Sequence, residues 1–255
     1  MEVSFEKSGH IAIVTINRPE KRNAINRAVH EGLRKAWQTF KVDQELWVAV
    51  LTGAGEKAFS AGEDLKEYGQ SLESQGWLGS TGLGDLETDG TIRKPIIAAI
   101  EGYCIGTGLT LAISCDMRIA GEGASFQYPE IRWGIPTIVG AIRLPRVIGM
   151  GLALEMLLIG EPMSAAEAYR VGLVNRLVPT GKAFEAALGL AEKIAQNAPL
   201  AVQVTREVVL RGAELPLEDA WRLGEGLRGA VRASQDIAEG MQAFREKRPA
   251  RFKGI

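Results

Sequence analysis

The spacing of hydrophobic residues along this chain changes several times, and each change marks an element. Val3 to Phe5 and Ile11 to Ile16 are apolar runs of strand type joined at Ser8-Gly9, which predicts a hairpin. Asn17-Arg18-Pro19 ends the second strand. Val29, Leu33, Trp37 and Phe40 recur at helical spacing, so an amphipathic helix is predicted over Arg27 to Phe40. Leu46 to Leu51 reads as a strand stopped by Thr52-Gly53. Ala58 to Gly62 is a short extended piece, and Asp64 opens a helical turn. Ile96 to Ile100 is a buried strand, followed by a glycine-bearing loop from Gly102 to Gly108, a helix over Leu109 to Ser114 and a strand over Met117 to Ala120.

Beyond residue 140 the pattern turns helical. Helices are predicted over Arg143 to Val147, Gly151 to Leu158, Ala165 to Val171, Lys182 to Gln196, Leu200 to Arg211, Leu217 to Arg232 and Gln235 to Phe244, with one strand at Leu173 to Val178. Residues 69–90 hold six glycines and few aliphatics, which predicts a long loop or short helical pieces. Trp77, Leu78 and Leu83 within it are candidates to close over an apolar ligand, with Trp133 beside them. The order predicts an α/β core over residues 1–195 and a helical region over 196–255.

Composition narrows the function classes. Thirty basic and thirty-one acidic residues leave a net charge of −1, so no electrostatic footprint favours nucleic acid or an anionic membrane. No apolar run approaches the roughly 20 residues a membrane span needs. The N-terminal ten residues have no apolar stretch of secretory type. Cys104 and Cys115, eleven residues apart, fit no common zinc pattern. They read as reduced core thiols, which suits the cytoplasm or an organelle matrix. His10 and His30 are the two histidines and form no ligand motif, so no metal is expected.

Two loops share one design. Ala58 to Leu65 and Ile105 to Leu109 each pass from a strand through glycine into a helix. A helix start leaves main-chain N–H groups unpaired, and glycine lets the backbone approach a ligand. Either loop alone is most simply a turn. Two such N–H groups aimed at one oxygen would form an oxyanion hole. A dinucleotide site is the rival for the second loop, but Leu111 stands where its third glycine belongs.

Several segments together resemble the crotonase (enoyl-CoA hydratase/isomerase) family. They are Asn17 to Asn26, Ala58 to Leu65, Lys94 to Leu109, Tyr128-Pro129-Glu130, Gly134-Ile135-Pro136, Arg143 to Arg146, Ile148-Gly149 and Gly172 to Val174. The resemblance runs in order through nearly the whole chain. It implies a spiral of strand-strand-helix turns, C-terminal helices that form a homotrimer or a dimer of trimers, and an acyl-CoA substrate. Coenzyme A would enter as part of that thioester and not as a cofactor. By position, the N–H groups of Glu63 and Thr107 would hold the thioester oxygen. Arg22 and Ala24 fall where the family holds the adenine and phosphates. Ala61, Gly62, Asp64, Leu65, Ile105, Gly106, Thr110 and Pro129 fall along the thioester pocket. Phe252 and Lys253 lie in a tail similar to the family's CoA-contacting C-terminus.

Enolate chemistry also needs a group that moves a proton next to the thioester. Glu130 matches a catalytic glutamate of the family. A solvated glutamate at a turn is the plainer reading of that residue alone. Typical hydratases carry a second glutamate where this chain has Thr110, which leans toward double-bond isomerisation or another enolate reaction. Thioester hydrolysis, decarboxylation, carbon–carbon cleavage and a non-catalytic CoA-binding role also stay open. Asp64 is expected to cap the turn that follows it. Glu63 is expected to turn to solvent, with a second acid in the pocket as the alternative. Asp116 is expected to order its turn and pair with a base.

Overall fold

The computed structural model describes residues 1–67, 86 and 90–255. The loop expected over residues 69–90, with Trp77, Leu78 and Leu83, therefore falls outside the described residues apart from Leu86 and Gly90.

The chain opens with β1 (Val3–Ser8) and β2 (Ile11–Ile16), an antiparallel hairpin turned at Gly9-His10. Helix α1 (Arg27–Val42) follows, started by Asn26, whose side chain accepts from the Val29 N–H at 2.9 Å. Its apolar face, Val29, Leu33, Trp37 and Phe40, is buried as the spacing predicts. Then come β3 (Val48–Gly53), β4 (Ala58–Ser60), β5 (Ile96–Ile100), β6 (Tyr103–Ile105), α2 (Thr107–Ser114), β7 (Met117–Gly121) and β8 (Ser125–Gln127). The rest runs α3 (Val139–Ile148), α4 (Met150–Ile159), β9 (Met163–Ser164), α5 (Ala165–Arg170), β10 (Arg176–Val178), α6 (Ala183–Ala195), α7 (Pro199–Gly212), α8 (Leu217–Val231) and α9 (Gln235–Glu246).

From β3 to β8 successive strands alternate between two mixed sheets. The large sheet has the order β1-β2-β3-β5-β7-β10, and the small one β4-β6-β8-β9. Because β3, β5 and β7 are neighbours in one sheet and β4, β6 and β8 in the other, each turn of chain stacks on the last as a spiral. Strands β4, β6 and β8 are parallel, so their exits lie side by side at one edge.

The large sheet is covered on both faces, which explains its nearly continuous apolar runs. Ala49, Leu51, Ile96, Ala98 and Ile100 face a core shared with α1, α2 and the small sheet. Val48, Val50, Ile97, Ala99 and Ile119 face Ala187 and Ala191 of α6. Cys104 and Cys115 are buried and unpaired, and burial pushes both thiols up. Asp116 orders its turn as expected: it accepts from the Ile96 N–H at 2.8 Å and from Arg206 Nε at 2.7 and 2.8 Å, tying α7 to the sheet.

Three short strands were not legible in the apolar pattern. β6 lies within the segment read as a glycine loop, and β8 and β9 span three and two residues. Such pieces are too short for a period, and their pairing partners fix them instead. The C-terminal half matches the predicted helices to within a few residues, except that α3 starts at Val139 and not near Arg143. Among the described residues no helix is long and apolar enough to cross a membrane.

The segment between β2 and α1 is held by one buried amide. Asn23 is fully buried, with φ of 55°. Its Oδ1 accepts from the Arg18 N–H at 2.9 Å, and its Nδ2 donates to the Ala54 and Ala58 carbonyls at 3.0 and 2.7 Å. Its own carbonyl accepts from Ser60 Oγ at 2.8 Å, and Ser60 Oγ accepts from the Gly62 N–H at 3.2 Å. Removing the amide strands two buried backbone groups, the Arg18 N–H and the Ala58 carbonyl, and the part-buried Ala54 carbonyl, the buried ones each costing on the order of 1–3 kcal/mol. Asn23→Ala is expected to lower unfolding stability by about 3 kcal/mol in urea titrations. A loss below about 1 kcal/mol would show that the amide is not what holds this segment.

Candidate active site

The exits of β4, β6 and β8 supply three pieces of backbone to one place. After β4 the chain passes through Ala61 and Gly62 to Glu63; after β6 it passes through Gly106 to Thr107; after β8 it passes through Tyr128 and Pro129 to Glu130. Ligands of strand-and-helix folds gather at such carboxyl ends.

The first loop is shaped by the β2–α1 segment. Ala61 N–H donates to Arg22 at 3.0 Å, Ile25 N–H to the Gly62 carbonyl at 2.8 Å, and Asp64 N–H to the Ile25 carbonyl at 2.8 Å. This short parallel bridge uses the groups on either side of Glu63 and leaves its N–H on the opposite side. In the second loop, Thr107 is the first residue of α2, where a helix leaves its N–H groups unpaired. Among the described residues neither the Glu63 nor the Thr107 N–H has an acceptor.

Two glycines let the loops meet. Gly62 and Gly106 have φ of +86° and +57°, conformations that L side chains rarely adopt. They also lack the space: a Cβ on Gly62 would sit 2.9 Å from the Ile105 carbonyl oxygen. One on Gly106 would sit 2.8 Å from Glu130 Oε1 and 3.8 Å from the Gly62 Cα. The two loops and the Glu130 carboxylate therefore share one small region.

Glu130 begins a single 3-10 turn, Glu130–Trp133, with Pro129 before it. Its Oε2 is buried and has no hydrogen-bond partner among the described residues. Burial pushes its carboxyl above the usual glutamate range, the negative charge of Glu63 adds to the rise, and a hydrogen bond from Thr137 opposes it. Such a group holds its proton to higher pH than a solvated glutamate, as a proton carrier requires. It is not the freely solvated glutamate of the plainer reading.

Two expectations about side-chain direction, for Glu63 and Asp64, need correction. Glu63 does not turn away to solvent: its Oε1 accepts from Thr107 Oγ1 at 3.0 Å and lies 3.1 Å from His30 Nε2. Among the described residues the Asp64 side chain makes no capping bond to the turn that follows it. Its carboxylate is 3.2 Å from both terminal nitrogens of Arg18, a buried guanidinium that also donates to the Ala24 carbonyl at 2.7 Å. An ion pair with a strong fixed donor outcompetes a single helix N–H. Thr110 is buried, and its hydroxyl is paired with Tyr128 OH at 3.1 Å. Phe252 packs on Gly240 and Lys253 N–H donates to Asp236 at 2.7 Å. These contacts hold the tail against α9.

The remaining residues lie around the cluster. Leu65 is exposed, Ile105 is half-buried and Pro129 is buried. Arg22 has φ of 51°, and its guanidinium stands 5.2 Å from the centre of the exposed Tyr103 ring. Trp133 is 55% exposed. Glu101, also near the second loop, is spent on the Ala183 N–H at 2.9 Å, the start of α6. Sequence reasoning missed His30 and Arg18 as parts of this network. Both act through contacts with residues 33 to 46 positions away, and no local spacing signals those.

The chain matches the family model "Enoyl-CoA hydratase/isomerase" over residues 6–255. It is 40% identical to (E)-benzylidenesuccinyl-CoA hydratase of Thauera aromatica, with 100% of each chain covered. It is 38% identical to carnitinyl-CoA dehydratase of Salmonella enteritidis, with 97% of each covered. The crystal structure of an enoyl-CoA hydratase from Bacillus anthracis superposes with a TM-score of 0.95 at 36% identity over 100% of both chains. The names of these relatives do not share the lean toward isomerisation drawn from Thr110. With a full-length family match and this fold, the chain belongs to the enoyl-CoA hydratase/isomerase (crotonase) family and is an acyl-CoA enzyme of the hydratase/dehydratase type.

Proposed function

We propose that the protein interconverts an α,β-unsaturated acyl-CoA and its 3-hydroxy form, using the N–H groups of Glu63 and Thr107 and the carboxyl of Glu130. What supports this reading is that the Gly62 and Gly106 loops and the half-buried Glu130 carboxyl share one region, with the Glu63 and Thr107 N–H groups without acceptors among the described residues. In the hydration direction the water oxygen bonds to C3 as Glu130 takes one of its protons. The C2=C3 electron pair moves toward the thioester, whose oxygen becomes an enolate oxygen between the two N–H groups. Glu130 then returns its proton to C2, and the thioester carbonyl re-forms. Each N–H group aimed at that oxygen is worth roughly 3 kcal/mol in the transition state.

One observation favours a second reading. With Thr110 paired to Tyr128, Glu130 is without the usual second glutamate. A single carboxyl suffices to carry a proton between C2 and C4, which is double-bond isomerisation. Arg22 and Ala24 are the candidates of the first loop region for the CoA adenine and phosphates. A reducing compartment such as the cytoplasm suits the two free buried thiols.

The assembly proposed is a homotrimer or a dimer of trimers. Its support is the apolar surface of the last two helices: Leu217, Trp221 and Phe244 are 87%, 69% and 83% exposed in the single chain. Large apolar side chains left exposed on two successive helices suit a face that other subunits cover.

Two outcomes are expected. On crotonyl-CoA, Glu130→Gln lowers kcat by at least about 100-fold, with 3-hydroxybutyryl-CoA as the wild-type product. Turnover of a 3-enoyl-CoA, with crotonyl-CoA left unhydrated, would instead select isomerisation, and unchanged turnover of every substrate by the variant would remove Glu130 from the chemistry. Sedimentation equilibrium should give three or six times the 27.5 kDa chain mass. A species at one chain mass contradicts the assembly.

A further inference from the structure

The two residues assigned to hold the thioester oxygen are joined a second time, through their side chains. Glu63 Oε1 accepts from Thr107 Oγ1 at 3.0 Å. The same oxygen is 3.1 Å from His30 Nε2, and Oε2 is 3.3 Å from it. The Glu63 side chain is 30% exposed and that of His30 25%, so both are half withdrawn from water. His30 stands on α1, whose packing on the sheet fixes its position.

An ionised carboxylate only accepts hydrogen bonds, so the Thr107 hydroxyl and the His30 Nε2–H are the donors. This matters because a carboxylate beside a developing enolate repels it. Two donors on that carboxylate draw its charge away from the oxygen site and fix where it points. It matters also because the loops meet at glycines, Gly62 and Gly106, whose backbones are intrinsically permissive. A bond from one loop to the other limits the separation of their N–H groups.

We propose that Glu63 is a positioning residue: its carboxylate straps the two donor loops together through Thr107 Oγ1, and His30 on α1 sets its direction. The proposal rests on the reading above, in which the Glu63 and Thr107 N–H groups bind the thioester oxygen. The carboxylate is not assigned as a second acid, because its oxygens are directed at Thr107 and His30.

The test combines kinetics with the carbonyl stretch of bound butyryl-CoA, saturated and therefore unreactive, carrying a 13C thioester carbon. Thr107→Val removes the hydroxyl and keeps the side-chain shape. It is expected to lower kcat on the best acyl-CoA substrate roughly 10- to 100-fold, the scale of a misplaced or lost oxyanion donor. KM should change little, because the loss falls on the transition state. Thr107→Ser, which restores the hydroxyl, should recover most of that loss. Glu63→Ala should match Thr107→Val, and the double variant should cost no more than the worse single one. His30→Phe, made outside the loops, should lower kcat in the same sense. The carbonyl stretch should move to lower frequency on binding to the wild type and move less in Thr107→Val. Wild-type kcat and an undiminished shift in Thr107→Val would overturn the strap while leaving the thioester reading intact. No shift in the wild type itself would overturn that reading, and the strap with it.

Discussion

The site depends on the parallel pairing of β4, β6 and β8. Each strand is only three residues long, yet their register decides where three loops leave the small sheet. The spiral delivers the first loop, the second loop and Glu130 to one edge in chain order. No single segment could do this, because a helix start supplies N–H groups but not a second donor from elsewhere. The chemistry thus comes from the architecture, and the side chains refine it.

That refinement is electrostatic. The cluster holds two carboxyls, Glu130 and Glu63, both partly withdrawn from solvent. They are handled differently. Glu130 keeps one oxygen buried and unpartnered among the described residues, and burial pushes its carboxyl above the usual range, as the proposed proton carrier requires. Glu63 is given donors on two sides and so is held as a fixed acceptor. Nearby, Asp64 is neutralised by the buried Arg18, which also braces the Ala24 carbonyl. Environment separates the roles of three acidic residues within one small volume.

Much of this was legible in the sequence. The α1 stripe, the buried strands β3 and β5 and the C-terminal helices follow from spacing alone. The glycine loops announced close backbone approach, and Gly62 and Gly106 do have positive φ and no room for a Cβ. The motif from Asn17 to Asn26 stood out only by resemblance, and its physical reason is the fully buried, fully bonded Asn23 amide. What could not be read was the direction of side chains. Glu63 looked like a surface glutamate because its partners, Thr107 and His30, are far away in the chain. Asp64 looked like a helix cap because Arg18 is 46 positions away. Thr110 marked the missing glutamate, but its pairing with Tyr128 is set by packing.

The account stands or falls on where a thioester oxygen binds. A crystal structure with butyryl-CoA would test this directly. The account predicts that oxygen at about 2.7–3.1 Å from the main-chain nitrogens of both Glu63 and Thr107, with Glu130 facing C2. An oxygen bonded elsewhere, or to one of the two nitrogens alone, would contradict it.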